Sequence, residues 1–521
     1  MNFMKQILFL LTLTLAAQAQ TNSIIPPTPT LNNVPAPTAN GSRSISLTDC
    51  IHLALEKNLD LRIQRFNPEL SAFALQIAYG GYSPLFNISG QNGYFKSGGG
   101  FNQNSTNTLP SSINSTHVVT SDIGGALPWG MSYDLFGNVT ENFGTRSSST
   151  GNPISSFDSS AGQVGLSLTQ PLLRNFWMNG NRLNVAVAHN RVKYSKQGLR
   201  QQLITTVSDV ETAYYELIYA QENFQVQEKS LELAKQLYHE NQKRVEVGVL
   251  APLDEKQAQS QMAARRADLI AAQHTLETRE NTLKVLITDD YAAWHDLTLR
   301  PAEPLSASQQ SYNLRESWSR GLEARPDLLQ IKLDLEKAGI QLKYYRNQVF
   351  PQLDVFGTYG YGASGVTTVD FIDAADNFRS GNLPFYTYGL KFSIPLDNRT
   401  ARNNYKAGKV TVKQAILILK KTEQNVMVQI DEAIKQAQSS FERVQATHEA
   451  SEFAQAALDA EQKKLENGKS TSFNVLSLQS ALTTARSTEI RALADYNLAL
   501  TALAQSEGCT LERRKIDVTF K

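Results

Sequence analysis

Apolar positions along this chain follow two different periods, and the same order of periods occurs twice. From Ser46 to Tyr79, Leu53, Leu55, Leu59, Leu61 and Ile63 fall in a helical pattern, with Ser46 as an N-cap and Asp49 three residues on. Asn313 to Gln348 repeats that pattern. After Pro84 and again after Pro351 the pattern changes to short alternating runs, Leu85-Phe86-Asn87-Ile88-Ser89 and Leu353-Asp354-Val355-Phe356-Gly357, which read as strands. Long helical stretches follow. Leu203, Val207, Val210, Tyr214, Leu217, Phe224 and Leu231 keep a 4,3 spacing, as do Val412, Ile416, Leu419, Val426, Ile430, Ala433, Ala437, Phe441 and Val444. Return segments carry the seam at Leu269, Ala272, Leu276, Leu283 and Leu286, and at Leu478, Leu482, Ala485, Ala492, Tyr496, Ala499 and Leu503. A helix from about residue 182 to 247 would be about 100 Å long at 1.5 Å per residue. No single globular core needs that length, whereas a tunnel across a wide compartment does.

The order repeats because the chain is internally duplicated. Shifted by 267 positions, Leu55, Glu56, Asp60, Leu61, Leu75, Pro84, Gly90 and Tyr94 meet identical residues at Leu322, Glu323, Asp327, Leu328, Leu342, Pro351, Gly357 and Tyr361. At a shift of 224, Gly165, Leu166, Pro171 and Leu172 meet Gly389, Leu390, Pro395 and Leu396. At a shift of 220, Lys243, Glu246, Gly248, Gln259, Ser260 and Arg266 meet their equivalents from Lys463 to Arg486. Copy one is expected over 46–290, with strands over about 85–170 and a helical hairpin over about 182–287. A connector at 291–312 leads to copy two over 313–508, with strands over about 352–395 and a hairpin over about 402–506. A tail at 509–521 follows. Pro84 to Pro171 spans 87 positions and Pro351 to Pro395 only 44, so copy one carries 43 extra residues. They contain His117 to Leu127, Pro128-Trp129-Gly130 and Met131 to Phe143, an additional β-hairpin.

The fold class that follows is mainly α with a transmembrane β-barrel, built from duplicated coiled-coil hairpins plus barrel strands. Residues 1–19 begin with Lys5, run apolar from Ile7 to Ala17 and end Ala17-Gln18-Ala19, a secretory signal with the mature chain starting at Gln20. No Cys follows that site, so no lipid anchor is indicated. Residues 20–45 are rich in Pro, Thr, Asn and Ala and read as a flexible leader. Beyond the signal no stretch of about 18 apolar residues occurs, so a membrane crossing must use a closed barrel. Tyr94, Phe95, Phe356, Tyr359, Tyr361, Phe385, Tyr386 and Tyr388 lie near strand ends, where amphipathic rings suit a membrane interface. A soluble sandwich with an aromatic core is the other reading of the strands alone.

The turns between rising and returning helices are Val247-Gly248-Val249-Leu250-Ala251-Pro252-Leu253-Asp254 and Asn467-Gly468-Lys469-Ser470-Thr471-Ser472-Phe473-Asn474. Each has a Gly to end one helix and Pro252 or Ser472 to start the next. With the repeat, the Gln170-Pro171-Leu172-Leu173 element and its echo Ile394-Pro395-Leu396, the chain resembles the TolC-like outer-membrane efflux factor family over nearly all of 46–508. The resemblance implies a homotrimer in outer-membrane lipid forming one barrel and one helical tunnel. It also implies a periplasmic adaptor (membrane fusion) protein, touched by the tips Val247, Gly248, Val249, Leu250, Ala251, Gly468, Lys469 and Ser470, and an inner-membrane pump reached through it. The family often sets aspartates just past the second tip to make a cation-sensitive mouth. Here those positions are Asn474 and Ser477, which leaves Asp254 and Glu255 of copy one as the candidate pore-mouth carboxylates, with a helix-capping role for Asp254 as the alternative.

Lys and Arg number 50 against 49 Asp and Glu, a balance that gathers no nucleic acid. The seven histidines show no metal-ligand spacing and no Gly-rich phosphate loop occurs, so no metal, cofactor or catalytic site is expected. Cys50 and Cys509 could form a disulfide in an oxidising periplasm or stand as two unpaired apolar residues. The competing function is a periplasmic adaptor or structural coiled-coil protein that forms no pore. Two hairpins and two Pro-bounded strand regions in direct repetition argue against it, since an adaptor has one hairpin.

Overall fold

A computed structural model describes residues 41–99, 111–147, 154–248, 250–365 and 383–516. The signal at 1–19 and the leader up to residue 40 lie outside the described residues. The end of the expected leader is not irregular, however. β1 (Ser42–Ile45) pairs in parallel with β6 (Thr298–Pro301), so the leader stops at least four residues earlier than its composition suggests.

Each copy begins with two helices where the sequence reads one. In copy one α1 (Leu47–Lys57) and α2 (Leu59–Tyr79) are separated at Asn58, whose ψ of 124° lies outside the helical range. The Asn58 side chain accepts from the Leu61 amide and donates to the Leu286 carbonyl, so the break is held by capping on one side and a tertiary bond on the other. At the N-terminus of α1, Ser46 and Asp49 form the reciprocal capping box.

The strands β2 (Leu85–Ser97), β3 (Ser112–Ala126), β4 (Ser132–Ser147) and β5 (Ile154–Pro171) then precede α3 (Gly180–Glu246) and α4 (Pro252–Ile287). At 67 residues α3 is about 100 Å long. The connector holds the short α5 (Tyr291–Trp294) and β6. Copy two runs α6 (Leu314–Ala324), α7 (Pro326–Gln348), β7 (Gln352–Gly365), β8 (Pro384–Ser393), α8 (Arg399–Glu466) and α9 (Ser472–Glu507). The short α10 (Thr510–Arg513) follows. The α6–α7 break falls at Arg325, the position equivalent to Asn58, because Pro326 disfavours helical backbone at the residue before it.

The returning helices are about half the length of the rising ones, and the missing half is supplied by α2 and α7. Asn58 reaching Leu286 places the start of α2 at the end of α4. Arg325 donating to the Ser506 carbonyl places the start of α7 at the end of α9. Each copy is therefore two helices wide over its length. The cores follow that plan. Around the α2–α4 junction Leu61, Leu203, Val207, Val210, Tyr214, Leu217, Leu283 and Ile287 pack with Ile45, Trp294 and Leu299. Val426, Ile430, Ile434 and Leu503 form the equivalent cluster in copy two. In the 4,3 seam of α8 Val426, Ile430, Ala437 and Val444 are buried and Ala433 and Phe441 half-buried, whereas Ile416 above them is exposed within the chain.

Among the described residues six long strands form one antiparallel sheet in the order β2-β3-β4-β5-β7-β8. The additional hairpin is thus in the middle of the sheet. Its turn closes through Leu127 donating to Met131 and Gly130 to Leu127, with Gly130 at φ 97°, open to glycine far more readily than to other residues.

Candidate tunnel mouth and barrel wall

The strand registers join residues from both copies into continuous rows. Phe86 pairs with Ile123, Ile123 with Leu135, Leu135 with Leu166, Leu166 with Tyr359 and Tyr359 with Tyr386. These six side chains share one face and are 39 to 72 % exposed. Along β8 the same face carries Tyr386, Tyr388, Leu390 and Phe392, all exposed. The opposite face is polar and bonded across strands. Asn87 donates to Asp122 at 2.8 Å, Thr116 to Asn142 at 2.9 Å and Thr358 to Ser167 at 3.1 Å, and Ser89 meets Thr120 at 2.6 Å. One apolar exposed face and one hydrogen-bonded polar face are what lipid and a water-filled lumen require of a barrel wall. The two carriers of this pattern, period-two apolarity and register, lie on different links of the chain: the first is in the sequence, the second only in the fold.

At the opposite end of the long helices the tips are compact turns. Gly468 at φ 70° donates to the Leu465 carbonyl while the Lys469 amide reaches the Lys464 carbonyl, the two bonds of a Schellman motif. Gly248 at φ 79° donates to Val245, and the Leu250 amide donates to Arg244. A Cβ at either glycine would meet no atom within 4 Å, so each tip glycine faces open space. Val249 is outside the described residues. Val247, Leu253 and Phe473 project large apolar groups into solvent beside these turns, and Ala251 and Lys469 are exposed too. Leu253 and Phe473 occupy equivalent places in the two copies, both within the turn segments read from the sequence as hairpin tips.

The second tip is fastened internally. Ser470 Oγ donates to Glu461 at 2.5 Å, and that bond, with Lys464 at 3.0 Å, holds the Glu461 carboxyl below its usual range. Buried Ser472 donates to Asn241 of α3 at 3.0 Å, and Leu237 joins Leu458, Leu465, Val475, Leu476 and Leu482 in a small core. The two hairpins are therefore packed together next to the mouth.

Of the pore-mouth candidates, Asp254 and Glu255 lie in the first turn of α4 and Asn474 and Ser477 in the first turns of α9. The N-cap of α4 is Ala251, with no side-chain cap, and the Asp254 amide donates to the Ala251 carbonyl. Asn474 and Ser477 are exposed, and Asn474 lies 3.5 Å from Ser470 Oγ.

Cys50 and Cys509 are brought together in no disulfide, and both are free thiols. The disulfide offered as one reading of the sequence is thus replaced by two separate environments. Cys50 is sealed in the core under α1, and Cys509 donates to Glu507 at 3.3 Å. Burial, with Asp49 nearby, pushes Cys50 up to about 12, and burial plus the Glu507 bond does the same for Cys509.

The sequence pattern of the family described as outer membrane efflux protein matches residues 138–288 and 318–508, covering both hairpins and most of the sheet. The chain belongs to the outer membrane efflux protein family. The outer membrane efflux protein BepC of Brucella suis is 24 % identical over 347 residues, covering 67 % of this chain and 72 % of BepC. The outer membrane protein TolC of Vibrio cholerae is 23 % identical over 366 residues, covering 68 % and 78 %. The Campylobacter jejuni CmeC outer membrane channel shares the fold with a TM-score of 0.64 at 16 % identity, covering 89 % of this chain and 86 % of CmeC. As an outer membrane efflux protein, this chain is an exit duct with its barrel in the outer membrane and its helices in the periplasm. The expected fold, mainly helical with barrel strands, is the observed one.

Proposed function

We propose that three copies of this chain assemble into one passive duct, that the tips dock on a periplasmic adaptor, and that an inner-membrane pump delivers cargo through that adaptor. The single observation that carries the assembly is an unused coiled-coil seam. Leu59, Ile63, Phe66, Leu70, Phe73 and Ile77 of α2 keep a 4,3,4,3,4 spacing and are 49 to 76 % exposed, while Leu61 and Ser71 on another face of α2 are buried within the chain. Val410 and Leu417 of α8 are exposed one heptad apart. A second copy of this chain offers a matching apolar stripe, and a six-stranded sheet with two open edges needs neighbours to enclose water. The exposed Val247, Leu253 and Phe473 at the tips support docking of an apolar hairpin or loop there.

Mass measurement in detergent is expected to give three chains, and Phe66→Asp with Phe73→Asp in the seam should shift the population toward smaller species. A monodisperse monomer that conducts ions would overturn the assembly.

A further inference from the structure

Strict duplication would give two strands per copy of the repeat and four per chain, but β3 and β4 enter between β2 and β5 and make six. Strand directions alternate, with β2, β4 and β7 running one way and β3, β5 and β8 the other. Among the described residues the free edges are β2 and β8, so a β8 edge set beside the β2 edge of another copy is antiparallel, as the rest of the sheet is. Neither edge is blunted. β2 has 13 residues without proline, and β8 has 10 with proline only at its first position; Lys96 and Lys391 are their only charged residues. Long edges with one charge each and no internal proline are templates for pairing with another chain.

The widths of the two walls agree with this. Six strands about 4.8 Å apart and tilted about 40° span about 37 Å of barrel circumference. Four helices abreast, the number each chain presents along its length, span about 36 Å at about 9 Å between axes. Four strands would span only about 25 Å on the same geometry. The inserted hairpin is what makes the sheet as wide as the helical wall below it.

We propose that β8 of each copy pairs with β2 of the next, so that six strands from each of three copies close one eighteen-stranded barrel, matched in width to the tunnel. The proposal rests on the trimer reading above. The site it creates, a lipid-facing outer surface around a polar lumen, is incomplete in one chain, since the apolar row from Phe86 to Tyr386 ends at both edges. A barrel of this size has a water-filled interior, so the membrane exit admits any hydrated cargo the tunnel passes and the restriction lies at the tips.

Disulfide trapping tests the pairing. In a Cys50→Ala, Cys509→Ala background, Tyr388→Cys in β8 is combined in turn with Phe86→Cys, Ile88→Cys, Gly90→Cys and Asn92→Cys in β2, all on the outward face. One register is expected to give oxidant-dependent dimer and trimer bands, because only Cα atoms about 4.4 to 6.8 Å apart can be bridged. Electron cryomicroscopy of the unmodified protein in lipid nanodiscs is expected to show a backbone diameter of about 36 Å, against about 24 Å for a ring of twelve strands. Three chains by mass with no β8–β2 bridge in any register, or with the narrower ring, overturns the eighteen-stranded barrel alone. A mass other than three chains overturns the trimer reading and the strand number with it.

Discussion

Replacing Gly248 and Gly468 separates two roles for the tips, shaping the turn and presenting a surface. Both residues have positive φ, 79° and 70°, and an added Cβ would touch nothing within 4 Å, so the cost of a side chain is conformational and not steric. A β-branched residue such as Val in the left-handed region costs about 1–2 kcal/mol, whereas Asn visits it with much less penalty. At about 1.4 kcal/mol per tenfold, Val lowers the equilibrium constant for the native turn about tenfold at each tip, and Asn lowers it much less. Because the loss is confined to the last turn of α3 and α8, trimer abundance in the outer membrane should match wild type for both variants. If the tips are contact surfaces, both variants lose export, since both add bulk to an open face. If the glycines only shape the turn, Asn keeps export and Val loses it. The assay is antibiotic susceptibility of a deletion strain complemented with each variant, with outer-membrane trimer quantified by immunoblot. Wild-type resistance from the double Val variant would refute the assignment of these turns as docking tips.

Asp254→Asn is expected to raise single-channel conductance or weaken block by a divalent cation in planar bilayers, since Asn474 and Ser477 provide no second carboxylate ring; unchanged conductance and block would remove Asp254 from the mouth. Glu211 is buried and held by Arg514 and by Thr501 at 2.8 Å, so Arg514→Ala should destabilise by about 3–5 kcal/mol by denaturant midpoint, with Glu211→Gln recovering part of it. His448 bonds to Glu489 at 2.6 Å, which raises its pKa, so its contribution to the α8–α9 contact is full below about pH 6.5 and fades as pH rises through the raised value. An NMR titration of His448 that moves back to the ordinary range in Glu489→Gln checks this. Neither thiol should react with iodoacetamide at pH 8 in the folded protein, and reduction should not change gel mobility; a mobility shift on reduction would contradict the free thiols.

Punctuating residues made much of this architecture readable from sequence. Gly248 and Gly468 mark the helix ends because few other residues accept positive φ, and the unequal spacing of Pro84–Pro171 and Pro351–Pro395 exposes the extra hairpin. The breaks at Asn58 and Arg325 divide differently. Pro326 signals the second, but Asn58 sits within a helical pattern and its break is held by its cap on Leu61 together with its bond to Leu286, more than two hundred residues away. The α8 seam shows the same limit: its apolar positions continue from Val412 to Val444, yet Val426, Ile430, Ala437 and Val444 are buried within the chain while Ile416 is exposed. The place of β3 and β4 in the middle of the sheet, and the separation of Cys50 from Cys509, are properties of three-dimensional order that spacing does not encode.

The paired breaks have a mechanical meaning. Asn58 abuts the end of α4 and Arg325 the end of α9, so both splices lie at equivalent levels of the two copies, and only α3 and α8 carry unbroken backbone through that plane. At that level two of the four helical struts are spliced, and the load they carry passes through the buried cluster of Leu61, Tyr214, Leu283 and Ile287 and its equivalent in copy two. Twist applied at the tips therefore reaches the barrel through side-chain packing as much as through backbone, and the fit of those two clusters sets how rigidly the lower hairpins are coupled to the hydrogen-bonded sheet above.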